Sequence, residues 1–117
     1  MSSRRDLSFI NGVPELLILR LLSRREMYGY ELVSAIRVAT GDVISVGEGC
    51  VYPILHTMEK NRLLGCRRVQ KDGRGRLYYR LTEKGRKRLN QTSSHWQRIS
   101  QAINSVLGDN DAAIART

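Results

Sequence analysis

The sequence predicts a mainly α-helical domain that carries one small β-hairpin and ends in a long helix. Three observations support this prediction: four segments repeat apolar residues at helical spacing, one segment alternates about an Asp-Gly pair, and a 3-4 apolar repeat lies near the C-terminus. The chain has 117 residues, which fits one small domain. With 41% hydrophobic and 26% charged residues, it can bury a core.

The first helix is predicted over residues 13–24, with Pro14 in its first turn. Its apolar side chains lie all round the helix, and they are Val13, Leu16, Leu17, Ile18, Leu19, Leu21 and Leu22. A helix that is apolar all round has to be covered on more than one side. Because one small domain is expected to cover a single side, the pattern implies a second surface from a partner chain.

The second helix follows a break at residues 27–30 and ends at Thr40-Gly41. The third is predicted over residues 48–61, capped by Gly47 or Ser45. Its core-facing stripe consists of Val51, Ile54, Leu55 and Met58. Its opposite stripe consists of Gly49, Tyr52, Pro53, His56 and Lys60. Since this outward face begins with small residues, it could enter a groove.

A hairpin follows the third helix, and a long helix closes the domain. Residues 64–69 and 77–81 alternate about the turn Lys71-Asp72-Gly73-Arg74-Gly75. Thr82 is the expected cap of the last helix, whose seam residues are Leu89, Thr92, Trp96, Ile99, Ile103 and Val106. Their 3-4 spacing is typical of a coiled coil, so this helix is expected to pack against another helix.

The whole excess positive charge lies between Lys60 and Arg88. This window holds 12 basic and 2 acidic residues, a net charge of +10, whereas the rest of the chain holds 8 basic and 9 acidic residues. Such concentration is typical of contact with a polyanion, most often nucleic acid. A solvated basic face and a membrane-surface patch are the alternatives that charge alone leaves open.

The order of three helices, a basic hairpin and a long helix indicates a winged helix-turn-helix with a long C-terminal dimerisation helix. In such proteins the second helix of the motif lies in the DNA major groove, and the hairpin forms a wing that reaches phosphates or the minor groove. We divide the chain into a flexible arm (1–10), a DNA-binding domain (11–81), a dimerisation helix (82–108) and a disordered tail (109–117).

Four stretches resemble the PadR family of transcriptional regulators: residues 27–32 (MYGYEL), 47–56 (GEGCVYPILH), 58–60 (MEK) and 78–85 (YYRLTEKG). The similarity covers residues 11–108, and the single C-terminal helix is similar to the short branch of that family. The resemblance implies a homodimeric repressor whose last helix packs against the partner's first helix and brackets a ligand-responsive interface. Gly47 and Cys50 stand where the family often has hydroxyl residues, so an operator preference is not carried over.

The DNA-contacting residues are predicted at the start of the second helix, on the outward face of the third and on the wing. They are Tyr28, Tyr30, Glu48, Gly49, Tyr52, His56, Lys60, Lys71, Arg74 and Arg76. One of the first two tyrosines is expected in the core. Tyr52 is expected to place its hydroxyl on a phosphate and its ring beside Pro53, or else to be a half-buried aromatic.

The dimer interface is predicted on the first and last helices, at Leu17, Leu21, Leu89, Trp96, Ile99, Ile103 and Val106. Trp96 is the only tryptophan. It is either an interface anchor or also a stacking platform for a flat aromatic or cationic ligand, which would act as an inducer between two subunits.

No catalytic residue, metal site or cofactor is predicted. The chain has no GxSxG, HExxH or phosphate-cradling motif, and its His and Cys residues lack zinc spacing. Cys50 is either a redox switch or simply a small residue. A winged-helix module that binds protein or RNA is the main alternative function, and a metal-dependent regulator is a third.

The sequence is also expected to belong to a cytoplasmic protein without membrane contact. Its longest apolar run, residues 16–19, is far shorter than the roughly 20 residues of a membrane span. Residues 1–12 are too polar for the core of a signal peptide. Cys50 and Cys66, in a chain without an export signal, predict reduced thiols.

Overall fold

A computed structural model of the chain describes residues 12–108. The predicted arm and tail lie outside these residues. The described elements are α1 (Val13–Leu22), β1 (Met27–Tyr28), α2 (Gly29–Ala39), α3 (Glu48–Lys60), β2 (Leu64–Lys71), β3 (Arg74–Leu81) and α4 (Glu83–Leu107). The predicted fold class, a mainly α-helical winged helix-turn-helix with a hairpin and a long last helix, is confirmed.

The sheet has one strand more than the sequence predicts. Its order is β1-β3-β2, and both neighbouring pairs are antiparallel. Residues 27–28, which the sequence suggests only as a break between helices, pair with β3 so that Met27 lies opposite Tyr79 and Tyr28 opposite Tyr78. A strand of two residues is too short to show an alternating pattern, and its partner lies about fifty residues later in the chain.

The core lies between the helices and the inner face of this sheet. Its buried residues are Ile18, Leu19, Leu22, Met27, Leu32, Ile36, Val51, Leu55, Met58, Leu63, Leu64, Tyr79 and Leu89. Tyr79, on the central strand, is only 1% exposed. Because directly opposite residues of antiparallel strands share a face, Met27 and Tyr79 enter the core together.

Helix α1 is covered by its own chain on more than one side. It contacts α2, β3 and α4, which bury Ile18, Leu19 and Leu22. The expectation that one subunit covers only a single side of α1 is therefore wrong. The physical reason is α4, which folds back onto α1, and Arg88 at its start reaches Glu15 across 3.6 Å.

The start of α4 is fixed against the segment that joins α3 to β2. The Thr82 hydroxyl caps the helix by accepting a hydrogen bond from the backbone N–H of Gly85 at 3.0 Å, and it lies 2.9 Å from the carbonyl oxygen of Leu63. A Cβ atom at Gly85 would collide with the same Leu63 carbonyl. Only glycine allows this approach, so the pair sets the direction in which α4 leaves the domain.

Within residues 12–108, no helix is long and apolar enough to cross a membrane.

Candidate nucleic-acid interface

Helix α3 presents the predicted outward face. Gly49, Pro53, His56 and Lys60 are exposed, whereas Val51, Leu55 and Met58 are buried, and Ile54 is half-buried. Gly47, one of the two predicted caps, precedes the helix in an extended conformation and makes no side-chain hydrogen bond to it. Glu48 lies exposed in the first turn. The residues exposed on this face are small or polar, and an α-helix fits the major groove of DNA.

Tyr52 is half-buried, and its ring lies against Gly29 at the start of α2. A Cβ atom at Gly29 would lie 2.5 Å from the Cζ atom of this ring, so only glycine permits the contact. The sequence places the Tyr52 ring beside Pro53 but does not indicate the contact with Gly29. This contact joins α3 to the first turn of α2.

The wing ends in a two-residue turn at Asp72-Gly73. Both residues have positive φ, 53° for Asp72 and 75° for Gly73, as a type I′ hairpin turn requires. The turn is thus shorter than the five residues the sequence suggests, because Lys71 and Arg74 already pair across the two strands. Their exposed side chains place two cations at the wing tip.

Arg76 lies on the wing but contacts the helix-turn-helix. Its guanidinium carbon is 4.5 Å from the centroid of the Tyr28 ring, a cation–π distance. The Tyr28 ring also meets the Tyr78 ring edge-on, with centroids 5.4 Å apart. Tyr30, in contrast, is 58% exposed. Neither Tyr28 nor Tyr30 is a core residue, so that expectation is wrong, and the core tyrosine is Tyr79.

A notch of about 190 Å³ separates the wing from the helix-turn-helix. Its lining residues are Tyr28, Gly29, Tyr52, Gly75, Arg76 and Leu77. Three predicted DNA-contacting residues, Tyr28, Tyr52 and Arg76, therefore converge on one place, although they come from β1, α3 and β3. The sequence predicts the three residues separately but gives no sign that they meet.

Glu26 and Arg67 form an ion pair across the outer face of the sheet. The carboxylate of Glu26 accepts three contacts from the guanidinium of Arg67, at 2.7, 3.0 and 3.2 Å. These hydrogen bonds, with the positive charge of Arg67, hold the pKa of the Glu26 carboxyl below its ordinary value. Arg67 is thus engaged within the sheet. Sequence reasoning missed the pair because its members are 41 positions apart.

The predicted interface residues on α1 and α4 lie apart from the notch. Leu89 is buried within its own chain and leaves little surface for a partner. Leu17 and Leu21 are half-buried against the core. A groove of about 170 Å³ between the two helices is lined by Gly12, Val13, Leu16, Thr92, His95, Trp96 and Ile99. Beyond it, Ile103 and Val106 are 38% and 62% exposed.

The two cysteines do not form a disulfide: Cys50 is exposed on α3 and Cys66 is half-buried on β2. Burial raises the pKa of the Cys66 thiol, which favours its protonated form. Among residues 12–108, no group of three or more His, Cys, Asp or Glu side chains is placed to hold a metal ion.

A helix-turn-helix followed by a basic wing defines a winged-helix DNA-binding protein. Over residues 18–91 the chain matches the model of the transcriptional regulator PadR-like family. The chain belongs to this family of DNA-binding transcriptional regulators, which are not enzymes.

Solved structures of regulators from several bacteria have the same fold. A transcriptional regulator from Clostridium thermocellum is 29% identical, with a TM-score of 0.79 over 86% of this chain and 99% of that one. A PadR-like transcriptional regulator from Bacillus cereus is 32% identical, with a TM-score of 0.75 over 87% and 98%. Transcriptional regulator YqjI of Escherichia coli strain K12 is 32% identical over 86% of this chain. The chain spans only 47% of the length of YqjI.

Replacement of Glu26 by Gln is expected to lower the melting temperature at neutral pH, because Arg67 loses its charged partner. Since pairing lowers the pKa of Glu26, the stabilisation is complete above the ordinary carboxyl value of about 4.3 and is lost as the pH falls through the lower folded-state pKa. Scanning fluorimetry between pH 7 and pH 2 should therefore show a difference between wild type and Glu26→Gln that disappears in acid.

Glu59→Gln provides the matched control, because Glu59 is exposed and forms no ion pair within residues 12–108. It should show no such pH-dependent loss. A Glu26→Gln protein that melts with the wild type at pH 7, or that keeps the same difference in acid, would contradict the assignment.

Proposed function

We propose that the protein is a homodimeric repressor that binds a pseudo-palindromic operator, with one α3 in each half-site. A small aromatic or cationic ligand at the dimer interface would release it from DNA. The observation that supports DNA binding is the notch. Its lining comes from α3, the start of α2 and the wing, so these three elements form one surface. Family membership supports the same reading.

The predicted residues on this surface would contact different parts of the DNA. Gly49 and His56 on α3 would meet base edges, while Glu48 and Lys60 lie at the two ends of the same helix. Tyr30 is exposed at the start of α2, where its hydroxyl can reach a phosphate. Lys71 and Arg74 at the wing tip would contact the neighbouring phosphates or the minor groove.

The notch offers two further groups to the DNA backbone. The Tyr52 ring is half-buried against Gly29, and Arg76 contacts Tyr28. These contacts favour fixed positions of the Tyr52 and Arg76 side chains over freely solvated ones. A phosphate that passes between the wing and α3 would meet the Tyr52 hydroxyl on one side and the Arg76 guanidinium on the other. Charge-assisted hydrogen bonds of this kind are the stronger ones in proteins.

Dimerisation is supported by the second half of α4. Its seam continues past the contact with α1, where Ile103 and Val106 lie exposed, and Leu107 is exposed beside them. A run of exposed apolar side chains on one helix indicates a protein contact. In a two-fold dimer the first helix of a second copy would cover them, together with Ile99 and Trp96.

The ligand proposal rests on the groove beside Trp96. The groove is mostly apolar, but its volume of about 170 Å³ is smaller than the 300–1,000 Å³ of typical small-molecule sites. A second subunit would enlarge and close it, and two-fold symmetry would bring in a second Trp96. Ligand binding can release DNA only if the ligand prefers a dimer whose two α3 helices are wrongly spaced for the operator.

The DNA proposal predicts a strong and specific dependence on salt. If about six cations contact phosphates, the log of the affinity should fall with the log of the salt concentration at a slope of roughly −5. Arg74→Gln should reduce the magnitude of this slope by about 1. The measurement is fluorescence anisotropy with a duplex that the protein itself has selected from random sequence, in 50 to 300 mM salt.

Arg37→Gln is the matched control, because Arg37 lies in the last turn of α2 and is paired with Asp42 at 3.2 Å. It should leave the slope unchanged. Equal affinity for the selected duplex and a scrambled one would contradict sequence-specific binding. Preference for the RNA version of the selected sequence would instead favour the RNA-binding module.

The dimer proposal predicts that Val106→Asp weakens self-association at least tenfold, because it places a charge on the exposed apolar seam. Gln101→Asp is the control: Gln101 is exposed about 200° round the helix from Ile103 and should have no effect. Sedimentation equilibrium measures both. A monomeric wild-type protein, or equal association of the two variants, would contradict the proposed interface.

The ligand proposal predicts that naphthalene derivatives, one cationic and one neutral, release the wild-type protein from its selected duplex. Compounds that bind bare DNA are excluded beforehand. Trp96→Ala should need at least tenfold more compound, because the stacking surface is gone, whereas Trp96→Phe should retain much of the response. Release of Trp96→Ala at the wild-type concentration would rule out a stacking role for Trp96.

A further inference from the structure

Arg76 differs from the cations at the wing tip. Lys71 and Arg74 are exposed, whereas Arg76 is half-buried and its guanidinium lies over the Tyr28 ring at 4.5 Å. The wing arginine is therefore tied to a residue of the helix-turn-helix. An arginine side chain without such a contact would sample many rotamers before its guanidinium met a phosphate.

The Tyr28 ring is itself held from several directions. Tyr28 pairs with Tyr78 in the sheet, and the two rings meet at an interplanar angle of 62°. Its backbone N–H donates to the carboxylate of Glu31 at 3.0 Å, at the point where β1 passes into α2. The ring thus offers Arg76 a face whose position is fixed relative to both the sheet and α2.

This arrangement places Arg76 at the boundary between the wing and α3, the two parts that are proposed to face DNA. The notch next to it is lined on one side by Arg76 and on the other by Tyr52 of α3. A guanidinium stacked on an aromatic ring keeps its N–H groups free at the edge of its plane, so it can still donate to a phosphate. Fewer rotamers then have to be given up when DNA binds.

We propose that Tyr28 is a positioning residue for DNA binding: it holds the Arg76 guanidinium at the notch, so that the wing and α3 meet the DNA backbone in one register. This inference rests on the proposed function, in which Arg76 contacts DNA. Tyr28 acts through the face of its ring, which contacts Arg76, and its hydroxyl is not needed for this role. The competing role is that Tyr28 only packs against Tyr78 to stabilise the sheet.

A double-mutant cycle on the full chain separates these roles. Tyr28→Leu should weaken binding to the selected duplex by about two- to fivefold, the range for an exposed cation–π contact. In the Arg76→Gln background the same substitution should have no further effect. Tyr28→Phe, which keeps the ring, should restore most of the affinity that Tyr28→Leu loses.

The salt dependence distinguishes the loss of the Arg76 charge from the loss of its position. Arg76→Gln should lower the magnitude of the log–log salt slope by about 1, because one phosphate contact is lost. Tyr28→Leu should lower the affinity and leave the slope unchanged, since the charge of Arg76 is still present. Melting temperatures of all variants report on folding.

An NMR measurement keeps the proposal falsifiable if Tyr28→Leu fails to fold. The side-chain protons of Arg76 should be shifted upfield by the ring current in the wild type and in Tyr28→Phe. Absence of this shift in the wild type would overturn the proposal. Equal weakening by Tyr28→Leu with and without Arg76 would also overturn it, because the two residues would then act independently.

The outcome for Arg76→Gln distinguishes failure of the proposed DNA contact from failure of the positioning role of Tyr28. If this variant binds the selected duplex like the wild type, Arg76 does not contact DNA, and the proposed contact fails together with the positioning role. If it binds more weakly and Tyr28→Leu does not, the DNA contact stands and only the positioning role is overturned.

Discussion

The antiparallel pairing of β1 with β3 fixes the wing against the helix-turn-helix. Although β1 has only two residues, it leads directly into α2, so the position of the central strand sets the position of that helix. Opposite residues share a face, and Met27 and Tyr79 therefore fill the core while Tyr28 and Tyr78 lie on the outer face. The notch beside α3 exists because this pairing stops at Tyr28 and leaves the next part of β3 open.

Ion pairs within the chain divide the basic residues into two groups. Arg67 is bound to Glu26 and Arg88 lies within 3.6 Å of Glu15, so both contribute to contacts within the chain. Lys71 and Arg74 stay exposed at the tip and form no ion pair within residues 12–108. A count of basic residues along the chain therefore exceeds the number that is free to meet a polyanion. The guanidinium groups of Arg67 and Arg88 remain exposed, but each already has a carboxylate partner.

Local patterns were sufficient to predict the helices and the hairpin. The stripe of Val51, Leu55 and Met58, the cap at Thr82 and the Asp-Gly turn each act through neighbours within a few positions. The features that could not be predicted depend on distant partners. Strand β1 has no periodicity of its own, the Glu26–Arg67 pair spans 41 positions, and the fit of the Tyr52 ring on Gly29 needs the tertiary fold. The separate residues of the notch were therefore predicted, but their convergence was not.

The pairing of β1 with β3 fixes the wing to the helix-turn-helix in the absence of DNA. Nuclear Overhauser effects between β1 and β3 in the DNA-free protein test it most directly. We expect cross-strand contacts between the backbone protons of Met27 and Tyr79 and of Tyr28 and Tyr78, with slow exchange of the hydrogen-bonded amides between them. Absence of these contacts, with amides of residues 27–28 exchanging as in an unstructured chain, would contradict it.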